Sequence, residues 1–178
     1  MRILAYCIMS NHWHMVLYPK EDGDLSRFMQ WITLTHTQRY RSRSKSRGYG
    51  HLYQGRYKSF LVAEDSYFLQ LCRYVEQNPL RAKLVKKAEN WQWSSAWRRT
   101  HGTKEQQALL SSWPVEKPYD YELWLNTKDK NDDEQLTSIR ESIRRGRPYG
   151  DESWVARMVD TFNLELTRRN HGRPRKGT

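Results

Sequence analysis

The sequence predicts an α+β fold in which an antiparallel sheet comes first and helices follow. Three observations carry that prediction. Two mostly apolar runs, Arg2–Ser10 (RILAYCIMS) and His12–Tyr18 (HWHMVLY), are separated by Asn11 alone and stopped by Pro19, the pattern of a tight two-stranded hairpin. Further along, apolar residues recur at helical spacing in several stretches, each with a capping residue at its start. The chain has 178 residues, enough for one compact domain with a core plus an extension.

After the hairpin, Asp24 can cap a helix whose apolar positions are Leu25, Phe28, Met29, Ile32 and Leu34; the helical pattern fades near RSRSKSRGYG. Arg41 to Lys58 contains six basic residues and no acidic one, read as a loop leading into a third strand over Tyr57–Ala63. A second helix, capped by Asp65 or Ser66, runs to Asn78, where Pro79 ends or kinks it. The residues PLRAKLV add another turn or two, and Ser94 caps a short helix within WQWSSAW. Beyond Thr100 the character changes to a polar linker over His101–Gln107, then a Pro-containing loop. An amphipathic helix follows with Leu136, Ile139 and Ile143, closed by Gly146, and Asp151 caps a last helix through Trp154, Val155 and Met158. The expected division is residues 1–100 as one domain, 101–170 as a helical extension and 171–178 as a basic tail.

Lys and Arg number 31 against 20 Asp and Glu, a formal charge of +11, which favours a polyanionic partner, nucleic acid first. Eight Trp and eleven Tyr suit stacking on unpaired bases as well as packing in a core. No run of 18 apolar residues exists and the N-terminus lacks the succession that directs secretion, so no membrane partner is expected and the location expected is cytoplasmic. Cys7 and Cys72 lie within apolar patterns and are read as buried thiols.

In a strand, residues two apart share a face, so His12 and His14 project together and Trp13 points the other way. Two imidazoles can then reach one ion. Tyr74 and Asn78 lie four apart on a predicted helix, which brings a phenol and an amide to one face. Imidazoles alone would allow Zn; an amide oxygen and a phosphate substrate shift the expectation to Mg or Mn. Such an ion would polarise a scissile phosphate, and the Tyr74 phenol could attack it to leave a phosphotyrosine and a free DNA hydroxyl.

AYCIMSNHWHMVLYP, YQGRYKSFLVAEDSYFLQLCRYVEQNPLRAKLV and WQWSS, in that order, resemble the HUH single-strand transposases of the IS200-like superfamily, specifically the REP-associated tyrosine transposases. The resemblance covers roughly residues 2–97, and GRPYGDESW resembles the C-terminal region of the same group. It implies a ferredoxin-like antiparallel sheet with helices on one face, cleaving and rejoining single-stranded DNA near repetitive palindromic hairpins. It also implies that His12, His14 and Asn78 are metal ligands and Tyr74 the nucleophile. Arg41, Arg43, Lys45, Arg47, Arg56 and Lys58 would track the phosphate backbone. Arg173 and Arg175, in a Gly-Arg-Pro setting like an AT-hook, would enter a minor groove.

Members of that group usually carry a strand and a helix before the segment matching RILAYCIMS, so the domain is expected to be N-terminally truncated. An unpaired edge in the sheet should result unless His12–Tyr18 and Tyr57–Ala63 pair directly or with another chain. Tyr67, two turns before Tyr74, is either a core residue or a second nucleophile. The function classes left open are a metal-dependent DNA strand transferase, working as a monomer or a homodimer, a non-catalytic hairpin-binding remnant, and a zinc hydrolase using His12 and His14.

Overall fold

The computed structural model describes residues 1–44 and 50–168. The hairpin forms as the apolar runs dictate. Strand β1 (Arg2–Ile8) pairs antiparallel with β2 (Trp13–Tyr18), with Cys7 opposite His14 and an irregularity between Ile3 and Ala5. Leu4, Ala5, Tyr6 and Cys7 are all buried, so β1 is covered on both faces.

The outer edge of β1 is satisfied without a third strand. Ile8 N–H donates to the Trp93 carbonyl at 2.9 Å, and Tyr6 N–H to Ser95 Oγ at 2.9 Å. The Leu4 carbonyl accepts from Trp113 Nε1 and from Arg99, and Ser111 N–H reaches the Ile3 carbonyl. Backbone groups left unpaired in a core would cost about 1–3 kcal/mol each. Residues 91–113 therefore do for this edge what a ladder would.

Helix α1 (Asp24–Ser44) has no Gly or Pro within it and runs for 21 residues. Its expected apolar stripe packs only in part: Met29 is buried, whereas Leu34 is more than half exposed. Helix α2 (Ser66–Glu76) is capped as predicted, Asp65 accepting from Tyr67 N–H. Phe68, Leu71, Cys72 and Val75 recur at helical spacing and press onto Leu4, Ala5, Cys7 and Val16 of the hairpin. Each such side chain contributes about 1.5–3 kcal/mol when fully buried. A single turn, α3 (Asn78–Arg81), continues beyond Gln77.

Ser94 caps α4 (Ser95–His101) as expected, and Thr103 forms a capping box for α5 (Lys104–Gln107), inside the stretch read as a linker. Helix α6 (Tyr121–Asn126) follows, then α7 (Asp132–Arg145), closed by Gly146 in the left-handed region (φ 74°), and α8 (Glu152–Phe162), capped by Asp151. Ile139 and Tyr149 enter the same buried cluster as the hairpin and α2. The architecture is α+β, with an antiparallel sheet and a helical C-terminal extension. No described helix is long and apolar enough to cross a membrane.

The third strand expected over Tyr57–Ala63 does not join this sheet. Among the described residues the sheet has two strands, and the segment makes one parallel bridge, Val62 to Tyr149. The physical reason is where its hydrogen bonds go: Tyr149 N–H donates to the Leu61 carbonyl and Ala63 N–H to the Tyr149 carbonyl, so the segment is tied to the extension. Direct pairing of His12–Tyr18 with Tyr57–Ala63 is thus not found among the described residues.

Both cysteines are buried thiols. Burial, reinforced by the charge of Glu76, pushes the Cys7 thiol up to about 12 and raises Cys72 as well. Neither is a nucleophile at neutral pH.

Candidate active site

The hairpin turn and helix α2 bring His12, His14 and Tyr74 to one place. His14, on the face of β2 that meets α2, lies with its ring centroid 5.6 Å from that of Tyr74, edge to face. His12, just before β2, is exposed, and its ring centroid is 5.1 Å from that of His14. Its Nδ1 is 2.7 Å from the side-chain oxygen of Asn11. The period-2 geometry of an extended chain explains the pairing, and the register Cys7–His14 sets the ring against the helix.

Burial, then the neighbouring His12 and Arg81, lowers the pKa of His14 to about 4. The imidazole is therefore neutral at physiological pH, which leaves a ring nitrogen with a free lone pair.

Asn78 opens α3 one turn beyond Tyr74. Its Nδ2 donates to the carbonyls of Tyr74 (3.1 Å) and Val75 (3.2 Å). Pro79 explains why: it has no N–H to give the Val75 carbonyl four residues back, and the asparagine amide supplies the missing donor. The side-chain oxygen of Asn78 is left as the free end of the amide.

Arg81 is a site residue that sequence reasoning missed. Its guanidinium carbon is 4.5 Å from the Tyr74 ring centroid, and it donates to the Tyr74 carbonyl at 2.6 Å and to Gln77 Oε1 at 3.2 Å. Burial lowers its pKa, but guanidinium keeps its charge. The signal was its spacing, seven residues after Tyr74 and so two turns along the same face. Tyr67, by contrast, packs edge-on against Tyr149, with centroids 5.0 Å apart.

Two buried polar clusters flank this face. Glu76, fully buried, accepts from Ser95 Oγ, from Arg99 and from Tyr121 Oη at 2.9 Å, tying α2 to α4 and α6. Arg73, 3% exposed, pairs with Asp132 and donates to the carbonyls of Trp124 and Thr127, with the Trp124 ring 4.8 Å below its guanidinium. The extension is held against the helix of Tyr74 by the residue preceding it.

Residues 1–78 match the family model described as transposase IS200 like. The matched span, a little under half of the chain, is similar to the IS200-like transposases. No curated protein and no solved structure gives a significant match. The matched span holds the histidine pair, Tyr74 and Asn78, and everything from Pro79 onward lies beyond it.

The donor set that would hold a divalent ion is that of His12, His14 and Asn78. It comprises two imidazoles, one of them held neutral, and an amide oxygen whose nitrogen is occupied elsewhere. Among the described residues no group of three or more His, Cys, Asp or Glu stands ready to hold a metal, so a closed structural zinc site is not formed there.

The basic residues expected to meet DNA divide into two sets. Arg43, Arg56 and Lys58 are exposed, and Arg41 is half-buried and donates to the Gly50 carbonyl. Arg41 and Arg43 stand on the last turn of α1 rather than in a loop, because the helix continues to Ser44. Lys45, Arg47, Arg173 and Arg175 lie outside the described residues.

Proposed function

We propose that this protein is a transposase that cuts and rejoins single-stranded DNA beside repetitive palindromic hairpins, with Tyr74 as nucleophile and His12, His14 and Asn78 holding a Mg or Mn ion. The observation that supports it best is the edge contact between the His14 and Tyr74 rings, which sets the phenol beside the imidazole pair. The ion, when bound, would supply Lewis-acid polarisation of the scissile phosphate.

The Tyr74 phenolic oxygen attacks phosphorus, and the bond from phosphorus to the departing DNA oxygen breaks. The phenol proton passes to water and the departing oxygen gains one to become a free hydroxyl. Because the phosphotyrosine conserves the diester, a DNA hydroxyl can reverse the step and join strands without ATP. Neutral His14 adds no proton of its own at physiological pH. Arg81 holds the ring in place and lends positive charge near the phosphate. The exposed Arg43, Arg56 and Lys58, with Arg41, Lys45, Arg47, Arg173 and Arg175, would bind the backbone in a salt-dependent way. The reading assigns the protein to the cytoplasm.

A second reading is a hairpin-binding relative that does not cut. It is favoured by the burial of Tyr74, which is only 9% exposed.

One experiment separates the two. The protein and its Tyr74→Phe variant are incubated with labelled single-stranded hairpin DNA and Mn or Mg, then run on a denaturing gel. A covalent band from the parent alone, abolished by chelator, supports the strand transferase. A native-gel shift with no covalent band under either metal selects the binding protein.

A further inference from the structure

We propose that the cleft between α2–α3 and α6–α7 receives one unpaired nucleotide of the DNA strand, its base read by the side-chain amides of Gln70 and Gln135. The proposal rests on the reading of Tyr74 as the residue that meets DNA. The cleft has a volume of about 450 Å³ and is lined by Tyr74 and Arg81 on one side and by α7 on the other. That size falls within the roughly 300–1,000 Å³ of small-molecule sites.

Its walls suit a flat ring with polar edges. Leu80, Leu136 and Ile139 supply apolar surface, and Tyr74 lines the cleft with them. Most polar side chains that line it are already spent. Arg73 is saturated by Asp132 and two carbonyls, Gln77 bonds the Leu125 carbonyl and Arg81, and Asn126 bonds Glu89 and Ala88 N–H. Two amides are not spent. Gln70, one turn before Tyr74 on the same helix face, accepts from Tyr149 Oη at 2.6 Å, which fixes its oxygen and leaves its NH2 to donate. Gln135 is half-buried and makes no side-chain hydrogen bond among the described residues.

Neither amide is a buried unpartnered group among the described residues, so both meet solvent and stand open to a ligand's edge. Glutamine amides pair with base edges, which present donors and acceptors at amide spacing. A bare phosphate is a poorer fit. The two unspent amides are neutral, the Arg81 guanidinium is engaged by the Tyr74 ring and carbonyl and by Gln77, and the Asp133 carboxylate, with Lys128 paired to it at 3.8 Å, lines the cleft. Tyr74 is among the residues that line the cleft, so the nucleotide it holds would flank the scissile phosphate.

The test is an NMR titration of the full chain, following the side-chain NH2 resonances of Gln70 and Gln135. The probes are the four deoxynucleoside monophosphates, deoxyribose 5-phosphate, and a single-stranded oligonucleotide of mixed sequence. At least one monophosphate and the oligonucleotide should shift both amides, deoxyribose 5-phosphate should not, and Gln135→Leu should weaken the responding monophosphate about tenfold with the backbone spectrum retained. An oligonucleotide that shifts the basic face but leaves both amides still would overturn the cleft while the DNA reading stands. Monophosphates that shift the amides when the oligonucleotide does not would overturn it in favour of a free-nucleotide site. No response to any DNA probe would sink the DNA reading and this inference together.

Discussion

Arg81 lies over the ring of Tyr74 at 4.5 Å and donates to the same residue's carbonyl at 2.6 Å, so one guanidinium restrains both ends of the proposed nucleophile. The planar fork is needed for this, since it must also bond Gln77. Arg81→Met should lower covalent adduct formation by about tenfold or more, the scale of one lost transition-state charge contact. Arg81→Lys should recover little of it, because an ammonium cannot stack and fork at once. Circular dichroism on both variants checks that the helices remain.

Asn78 carries two separable duties, one for each end of its amide. Asn78→Asp removes the Nδ2 donors to Tyr74 and Val75 and retains an oxygen, so it should cost about 1–3 kcal/mol in urea unfolding while Mn affinity is kept or raised. Asn78→Ala should lose both. Calorimetric titration with Mn, run beside the unfolding curves, distinguishes them; equal Mn affinity for the parent and Asn78→Ala would remove Asn78 from the ligand set.

Glu76 is the buried hub joining α2, α4 and α6. Substitution to Ala strands the Arg99 guanidinium and the Tyr121 hydroxyl, and should destabilise by about 3–5 kcal/mol. Glu76→Gln should cost less, since one oxygen still accepts. Urea denaturation followed by tryptophan fluorescence reads both.

Acid should loosen the extension first. Burial acts to raise the Asp132 carboxyl, but the Arg73 hydrogen bond, the Asp129 N–H and the charges of Arg73 and Lys128 outweigh it and hold it below the usual range. A carboxylate depressed on folding stabilises above its unfolded pKa of about 3.9, and that contribution is lost as pH falls through the lower folded value. The parent should therefore lose stability below about pH 4. Asp132→Asn should be weaker at neutral pH and show a flatter acid limb. Trp124, which stacks on Arg73, is the reporter.

Local patterns made much of this protein legible in its residues. The hairpin, the caps at Asp65, Ser94 and Asp151, and the closing Gly146 each depend on neighbours a few positions apart, where spacing and propensity decide the outcome. The closeness of the His12 and His14 rings is of the same kind, since the period of an extended chain sets them on a common face.

Long-range satisfaction of backbone groups was not legible. That Tyr57–Ala63 would bond Tyr149 instead of a strand, and that side chains from 91–113 would cover the edge of β1, depends on which distant donors arrive. The same holds for the cleft beside Tyr74. Its far wall comes from residues more than fifty positions away, brought there by the Arg73–Asp132 pair, and no periodicity encodes a meeting between segments whose only link is the shape of the folded core.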